Sequence, residues 1–373
     1  MLNPGLELCQ SGTALATYAY VFGEQTMRAL VQPEDGVAPL LSGIMGAKKS
    51  VEIAIFRFDH REIETALETA VARGVSVQAL IAYANRGGEK KLRETEARLL
   101  AAGVTVARTS DDLARYHNKL MIVDRRALYL MAFNCTHLDI SHSRSFGLVT
   151  EDSRIVEEAV KLFEADTARL PYAPGRDDFI VSPANARERL SGFIDAARKQ
   201  LLIYDGKLTD SNIISLLQDR AEAGVEVKVI GQLGRRAAGI EAVKLSELRL
   251  HAQAIIRDGA QVFLGSQSLR RAELDARREA GLITGDPKVV KRLLDTFEAD
   301  WSSSLPAKEQ LAEKREAPAY LSALKEAVKC VVKEAVADAG VLPAAPKEVK
   351  AVVKEAVKEA VQESVDTSSQ SEK

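Results

Sequence analysis

The sequence predicts an α/β fold in which one strand–helix–strand unit occurs twice. Three short matches share a single offset of 150 residues: VQP at 31–33 with VSP at 181–183, AKK at 47–49 with ARK at 197–199, and GV at 74–75 with GV at 224–225. In both copies, apolar strand-like segments alternate with segments of helical periodicity. Units of this kind join their strands through right-handed crossovers, so we expect a largely parallel sheet.

The first copy opens with a strand, a helix and a second strand. Segment 51–58 (VEIAIFRF) alternates and is rich in β-branched and aromatic residues, which is typical of a strand. Residues 61–73 have helical periodicity and stop at Gly74, a common helix terminator. Residues 75–83 are almost all apolar, as expected for a strand that is covered on both faces. A further helix is predicted at 88–102.

The second copy follows the same order but is shorter. It reads as a strand at 201–206, a helix at 211–223 and a strand at 225–232. It then lacks 16 residues that the first copy has, which removes most of a counterpart to the helix at 88–102. The register returns at the end of each copy, where the helices predicted at 153–166 and 287–300 both finish in the letters FEAD.

The composition is that of an ordinary globular protein. Of the 373 residues, 46% are hydrophobic and 28% are charged, and the net charge is −2. A near-neutral chain has no overall attraction for nucleic acid or for an anionic membrane, so an anionic substrate needs a local positive site. The cysteines Cys9, Cys135 and Cys330 are too few and too scattered for a disulfide framework or a zinc site. With no signal peptide and no membrane-spanning apolar run, we expect a cytoplasmic protein.

The domain organisation follows from the repeat. We assign residues 1–27 to an N-terminal extension, 28–170 to the first repeat and 171–304 to the second repeat. Residues 305–373 form a tail rich in Ala, Val, Lys and Glu, with two amphipathic helices and a disordered end. The tail is interpreted either as a contact for a protein partner or a membrane surface, with peripheral attachment, or as solvated helices with little function.

A sequence motif in the first repeat carries candidate chemistry. His117, Lys119 and Asp124 form the pattern HxKxxxxD. Positions i and i+2 of an extended strand face the same way, so His117 and Lys119 place an imidazole beside a cation. Asp124 falls at the end of the strand and suits a structural hydrogen bond better than chemistry.

The second repeat carries a related motif. His251 and Asp258 keep the same spacing, but Gln253 stands where the first copy has lysine. A strand then runs into Gly265 and Ser266, where glycine allows close backbone approach and serine can donate to a phosphate oxygen.

The paired motifs resemble the phospholipase D superfamily over residues 28–304. The resemblance implies an α/β/α sandwich whose two repeats are related by a pseudo-twofold axis, with both histidines in one site. It implies that one histidine attacks phosphorus to form a phosphohistidine, while the other protonates the leaving alcohol and then activates water or an acceptor alcohol. It also implies that no metal or cofactor is needed, because polar side chains neutralise the phosphoryl oxygens.

The resemblance assigns a role to each candidate residue. His117 is expected to be the nucleophile and His251 the general acid/base, or the reverse, with Glu279 accepting a hydrogen bond from His251. Lys119 is expected to hold a phosphoryl oxygen. The remaining assignments are Asn134, Gln253 and Ser266 for binding the phosphate, and Asp124, Asp258 and Gly265 for structure.

The chain departs from the family pattern at four places. Gln253 replaces a lysine, residues 131–132 (Met-Ala) replace Gly-Ser, Ser145 replaces an acidic residue and Ser268 replaces an asparagine. Three functions are therefore weighed: a phosphodiesterase or phosphatidyltransferase acting on phospholipid, a metal-independent nuclease, and a degenerate phosphate-binding or scaffold protein. Phospholipid is favoured over nucleic acid because the net charge is slightly negative and no basic, aromatic-interleaved stretch occurs.

Overall fold

The structure is a computed structural model that describes residues 27–83, 89–235 and 237–304. Most of the expected N-terminal extension, and the expected helical tail from residue 305 onwards, lie outside the described residues. None of the described helices is both long enough and apolar enough to cross a bilayer.

The described elements of the first half agree with the predicted order, including the helix predicted at 88–102. They are, in chain order, β1 (Arg28–Gln32), α1 (Ala38–Gly46), β2 (Ser50–Ile55), α2 (Arg61–Ala72), β3 (Ser76–Ile81), α3 (Glu89–Ala101), β4 (Thr105–Arg108), β5 (Arg115–Tyr116), β6 (Leu120–Val123), β7 (Ala127–Met131), α4 (His137–Ser141), β8 (Ser143–Thr150) and α5 (Ser153–Ala168).

The second half repeats this order without a counterpart to α3 among its described residues. Its elements are β9 (Phe179–Ser182), α6 (Ala186–Asp195), β10 (Gln200–Leu208), α7 (Ser211–Glu222), β11 (Glu226–Leu233), β12 (Ile240–Val243), β13 (Arg249–Leu250), β14 (Gln253–Arg257), β15 (Gln261–Gly265), α8 (Arg271–Asp275), β16 (Arg277–Thr284) and α9 (Pro287–Ser304). The 16-residue shortening therefore falls between β11 and β12, as the sequence spacing indicated.

Each half builds one mixed sheet. The first has the order β1-β8-β7-β6-β2-β3-β4, and the second has the order β12-β11-β10-β14-β15-β16-β5. The pairs β2–β3 and β3–β4 are parallel, as expected from their helical crossovers. The pairs β2–β6, β6–β7 and β7–β8 are antiparallel. The expectation of a largely parallel sheet was therefore wrong beyond β4, because a short turn joins β6 to β7 and a segment containing the five-residue helix α4 joins β7 to β8, so that both pairs are antiparallel.

The two halves exchange short strands beside the motif histidines. β5 of the first half pairs with β16 of the second, and β13 of the second half pairs with β8 of the first. The backbone N–H of His117 donates to the carbonyl of Arg278 at 2.8 Å, and that of His251 donates to the carbonyl of Arg144 at 3.0 Å. This reciprocal pattern is the pseudo-twofold relationship that the resemblance implied.

The hydrophobic core has three parts, which separate five layers: outer helices, the first sheet, central helices, the second sheet and outer helices. A central core joins the inner faces of both sheets with α5 and α9 between them. One outer core lies between the first sheet and α1, α2, α3 and α4, and the other lies between the second sheet and α6, α7 and α8. The molecule is thus an α/β sandwich in which the shared central layer fixes the two sheets relative to each other.

Two buried ion pairs cross between the halves and explain the shared FEAD ending. Arg144 Nε lies 2.7 Å from Asp300, and Arg278 Nε lies 3.1 Å from Asp166. Asp166 and Asp300 are each the last residue of an FEAD sequence. Arg144 directly precedes Ser145 on β8, and Arg278 directly precedes Glu279 on β16. Removing one partner of such a pair leaves a buried charge unpaired, which costs about 3–5 kcal/mol. The repeated aspartates therefore hold the two halves in register.

Candidate active site

His117 and Lys119 meet where β5 leads into β6. The Nζ atom of Lys119 lies 3.0 Å from both Nδ1 and Nε2 of His117, and it donates to the His117 carbonyl oxygen at 2.8 Å. The Phe56 ring packs edge-to-face against the imidazole, with the ring centroids 4.4 Å apart. The imidazole and the ammonium group therefore share one wall of the site, as their i and i+2 spacing predicted.

The third group on this wall is Glu279. We expected this carboxylate to accept from His251, but its Oε2 atom lies 2.7 Å from Nδ1 of His117. The strand exchange is the reason for this correction, because β5 leads into His117 and pairs with β16, which contains Glu279. Glu279 is completely buried, whereas 16% of the His117 side chain is exposed. The carboxylate thus supports the imidazole from behind and leaves its outer edge accessible.

Burial sets the protonation of these three groups. Desolvation, followed by the nearby Lys119 and His251, lowers the pKa of His117 well below its ordinary value of 6.5. Desolvation lowers the pKa of Lys119 to about 8, although Glu279 and Asp139 oppose the shift. Desolvation also raises the pKa of Glu279 to about 7 against the opposing charge of Lys119. Slightly above neutral pH, the wall therefore combines a neutral imidazole, an ammonium group and a carboxylate.

The opposite wall is formed by His251 and Asp139. The Nδ1 atom of His251 lies 3.2 Å from an Asp139 carboxylate oxygen, and Arg249 contacts the other oxygen at 2.7 Å. The backbone N–H of Asn134 donates to Asp139 at 2.9 Å, and its side-chain amide donates at 2.6 Å. Desolvation opposes ionisation of Asp139, but its contact with His251 and the hydrogen bonds from Asn134 hold its pKa well below its usual range. Asp139 is the acidic neighbour that Ser145 does not supply.

Sequence reasoning missed Asp139, although the repeat held a signal for it. Asp139 follows His117 by 22 residues, and Glu273 follows His251 by the same interval. Both acids are buried on short helices, α4 and α8. Asn134 was expected to bind the phosphate, but the structure directs its amide nitrogen to Asp139. Asn134 therefore lies behind the carboxylate of Asp139, which in turn contacts His251.

The two walls belong to one site. His251 is close enough to lower the pKa of His117, and Asp139 is close enough to raise that of Lys119. The hydroxyl of Ser145 donates to the carbonyl oxygen of His251 at 2.8 Å. Ser145, which replaces the expected acidic residue, therefore binds the backbone of the second repeat. The two motif histidines, 134 residues apart in the chain, therefore lie near each other.

The other predicted phosphate-binding residues lie on or beside strands of the second sheet. Ser266 is buried directly after β15, where its hydroxyl contacts the backbone of Ala280, and it lowers the pKa of the neighbouring Glu279. A Cβ atom on Gly265 would lie only 2.6 Å from the Cα of Gly281 on the next strand, so glycine is required for that approach. Gln253 is the first residue of β14 and pairs with Asp205 of β10. It follows His251 by two residues, just as Lys119 follows His117.

The motif aspartates lie away from the histidines and hold backbone. Asp124 accepts hydrogen bonds from the backbone N–H groups of Lys48, Lys49 and Ser50 at 2.6–3.0 Å. Asp258 does the same for residues 198–200 at 2.7–3.1 Å. Both aspartates have positive φ angles of 54°, which short polar side chains tolerate better than most. Their contacts agree with the structural role that the sequence suggested.

Several arginines add positive charge around the histidines. Arg277 and Arg115 lower the pKa of His117, and Arg277 and Arg57 lower that of Lys119. Arg277 is paired with Glu273 at 2.6 Å. Sequence reasoning did not single these residues out, although Arg115 and Arg249 each precede a motif histidine by two residues. The site is thus a local positive region on a chain of slightly negative net charge.

Comparison with known proteins places this geometry in a family. Residues 40–167 and 190–301 match the family described as "Cardiolipin synthase, PLD-like domain". The chain is 26% identical over 290 residues to a polyphosphate kinase of Vibrio parahaemolyticus. The aligned region covers 69% of this chain and 41% of that protein. It is 29% identical over 139 residues to the mitochondrial cardiolipin hydrolase of Mus musculus, covering 36% of this chain and 60% of that protein.

Solved structures agree on the fold. The crystal structure of polyphosphate kinase from Porphyromonas gingivalis matches with a TM-score of 0.62 and 20% identity, over 74% of this chain and 50% of that chain. Phosphatidylserine synthase from Haemophilus influenzae Rd KW20 matches with a TM-score of 0.57 and 9% identity, over 79% and 93% of the two chains. This chain spans about two fifths of the length of the polyphosphate kinases. The family match covers well over half of the chain, which is therefore a member of the phospholipase D superfamily.

Proposed function

We propose that this chain is a phosphodiesterase or phosphatidyltransferase that acts on phospholipid through a phosphohistidine on His117. The observation that carries the proposal is the contact between His117 Nδ1 and Glu279 at 2.7 Å. An ionised carboxylate can only accept a hydrogen bond, so the proton lies on Nδ1 and the lone pair on Nε2. The depressed pKa of His117 supports this assignment, because a nucleophile must be neutral.

In the first step, the Nε2 lone pair of His117 attacks phosphorus. A P–N bond forms while the bond from phosphorus to the leaving alcohol oxygen breaks. His251 donates a proton to that oxygen, so the group leaves as a neutral alcohol. Lys119 lies 3.0 Å from both ring nitrogens and is placed to neutralise a phosphoryl oxygen held there.

In the second step, His251 acts as a base. It accepts a proton from water or from an acceptor alcohol as the oxygen attacks phosphorus, and the P–N bond breaks. The carboxylate of Asp139, 3.2 Å from Nδ1 of His251, stabilises the imidazolium that this transfer produces. Water gives hydrolysis and an alcohol gives transfer, with the same residues in the same roles.

A phospholipid substrate is supported by the partial match to a protein named cardiolipin hydrolase and by the family's description. The matches to polyphosphate kinases favour a second candidate, in which His117 takes a phosphoryl group from a phosphate chain. A metal-independent nuclease and a degenerate phosphate-binding or scaffold protein are two further candidate functions. The cytoplasmic location and a contact through the tail remain predictions from the sequence.

The test is turnover with a chelator present. Fluorescent phospholipid in vesicles, single-stranded DNA, RNA and polyphosphate are each incubated with the wild type, with His117→Ala and with His142→Ala. His142 is an exposed histidine that contacts His137 rather than the motif residues, so it is the matched control. We expect phospholipid turnover that only His117→Ala abolishes. Turnover of nucleic acid alone, or phosphate binding without any turnover, would overturn the proposal.

A further inference from the structure

Arg57 and Lys207 occupy equivalent positions in the two repeats, 150 residues apart. Arg57 follows the end of β2, and Lys207 lies near the end of β10. β2 pairs with β6 up to Ala54 and Leu120, and Arg57 lies three residues beyond Ala54 as His117 lies three residues before Leu120. β10 pairs with β14 up to Asp205 and Gln253, and Lys207 lies two residues beyond Asp205 as His251 lies two residues before Gln253. One cation therefore follows the last paired residue of the strand that neighbours each motif histidine.

Further contacts place Arg57 beside the site, and they place the backbone next to Lys207 near the second motif histidine. The guanidinium carbon of Arg57 lies 5.8 Å from the centre of the Phe56 ring, and the ring contacts His117. Arg57 is also close enough to lower the pKa of Lys119. In the second repeat, a Cβ atom on Gly206 would lie 3.9 Å from the carbonyl oxygen of Leu250, directly before His251. The end of β10 thus runs along the strand that leads into that histidine.

The two cations differ from the other basic residues of the site in their surroundings. Arg249 and Arg277 are paired with the carboxylates of Asp139 and Glu273. Arg57 and Lys207 are exposed, and no ion pair of either is found over the described ranges 27–83, 89–235 and 237–304. The proposed reaction needs only Lys119 and the hydrogen-bond donors to hold one phosphate. Two exposed charges at matched positions are therefore left for a further anionic group.

We propose that Arg57 and Lys207 are specificity-determining residues that bind a second phosphate next to the reacting one. The preferred substrates are then diesters that carry a neighbouring phosphate, rather than diesters with a single phosphate and a neutral or cationic head group. This inference rests on the proposed function, because it concerns the same site. Charge-assisted hydrogen bonds from an arginine and a lysine are suited to phosphate oxygens and add selectivity for charge.

The primary test measures binding, so it does not require turnover. Orthophosphate and pyrophosphate, without metal, are titrated calorimetrically into the full chain as wild type, Arg57→Gln and Lys207→Gln. The matched controls are Arg198→Gln and Lys199→Gln, which make the same chemical changes at exposed positions before the start of β10. Thermal unfolding of every variant accompanies the titrations, and we expect the unfolding temperatures to be unchanged because all four side chains are exposed.

We expect the wild type to bind pyrophosphate about tenfold more tightly than orthophosphate. Arg57→Gln and Lys207→Gln should each remove most of that preference and leave orthophosphate affinity within about twofold. The controls should behave as the wild type. Equal affinities for the two anions in the wild type, or variants that match the controls, would overturn the inference.

Turnover separates this inference from the proposed function and identifies the source of the second phosphate. Vesicles containing diphosphatidylglycerol or phosphatidylglycerol are compared at equal lipid phosphate. A KM that rises in Arg57→Gln and Lys207→Gln for diphosphatidylglycerol alone supports a lipid source. Turnover of both lipids with KM values that the substitutions leave unchanged overturns the inference and leaves the proposed function intact. Turnover of neither lipid overturns the proposed function, while the titrations still decide the inference.

Discussion

The carboxylate of Glu279 lies 2.7 Å from Nδ1 of His117, although the two residues come from opposite repeats. The contact exists because β5 of the first half pairs with β16 of the second. The reciprocal exchange brings Asp139 of the first half to 3.2 Å from His251 of the second. Each histidine is therefore oriented by the other repeat, and neither half can complete its own site.

The first prediction concerns the tautomer of His117. Glu279→Gln should lower kcat by a factor of about 10²–10⁴ with little change in KM, because an amide can present its N–H₂ group to Nδ1 and reverse the tautomer. Steady-state kinetics on the diester, with ¹⁵N chemical shifts of the imidazole, check this. Glu52→Gln is the control, since Glu52 is also a buried acid but pairs with Arg125. An unchanged kcat with an unchanged tautomer would contradict the assigned role.

The second prediction concerns the support of His251. Asp139→Asn should lower the free energy of unfolding by about 3 kcal/mol, because the substitution removes a buried charge that accepts from Asn134 and pairs with Arg249. It should also slow release of a poor leaving alcohol more than release of nitrophenol. Urea unfolding and the ratio of the two rates measure these effects. A rate loss equal for both leaving groups would show that His251 is not the general acid.

The third prediction is a bell-shaped dependence of kcat/KM on pH. Glu279 must be ionised to hold the proton of His117 on Nδ1, and burial raises its pKa to about 7, so activity should fall as pH decreases through about 7. Protonation of His117, whose pKa burial holds well below 6.5, removes the nucleophile at still lower pH. Lys119 must be charged, and its pKa of about 8 means that activity falls as pH rises through about 8. Lys119→Arg should move this alkaline limb to higher pH, because a guanidinium keeps its proton. An alkaline limb that stays in place would assign it to another group.

The fourth prediction concerns the degenerate second motif. Gln253 stands two residues after His251, where Lys119 stands after His117. Gln253→Lys should raise kcat/KM about tenfold on an anionic diester, since a second cation stabilises charge on the phosphoryl oxygens. Gln253→Met is the control for side-chain length without charge. A decrease with lysine would mean that Gln253 has a positive role of its own in this site.

The fifth prediction separates structure from chemistry in the motif aspartates. Asp124→Asn should lower the free energy of unfolding by about 2–3 kcal/mol, because its carboxylate accepts three backbone hydrogen bonds. KM and the pH profile of the remaining folded protein should match the wild type. Asp258→Asn should behave the same way, since it makes the equivalent contacts. A changed pH profile would place either aspartate in the reaction instead.

The repeat made much of this fold predictable from sequence. A constant offset fixed the order of β2, α2 and β3 and of β10, α7 and β11, and it located the missing helix after β11. The i and i+2 spacing also predicted that His117 and Lys119 share a face. These inferences depend on the local periodicity of apolar residues, which can be read directly from a single sequence.

The partners of the histidines could not be predicted in the same way. The resemblance assigned Glu279 to His251, the motif histidine nearer to it in the sequence, and this was the wrong imidazole. The exchange of β5 and β13 is a non-local pairing of two-residue strands, which leaves no periodic signal. Asp139 was hidden for a similar reason, because it lies on a five-residue helix and contacts a strand more than 100 residues away.

The most direct test of the two-histidine account is to trap the covalent intermediate. His251→Ala is mixed with bis(p-nitrophenyl) phosphate, whose leaving group needs no general acid, and is quenched in alkaline denaturant that preserves a P–N bond. The account predicts that one nitrophenol per protein is released in a burst and that mass spectrometry finds the added p-nitrophenylphosphoryl group on the peptide containing His117. A peptide map that carries the label elsewhere, or a wild type that turns over the diester while neither protein is ever labelled, would contradict it.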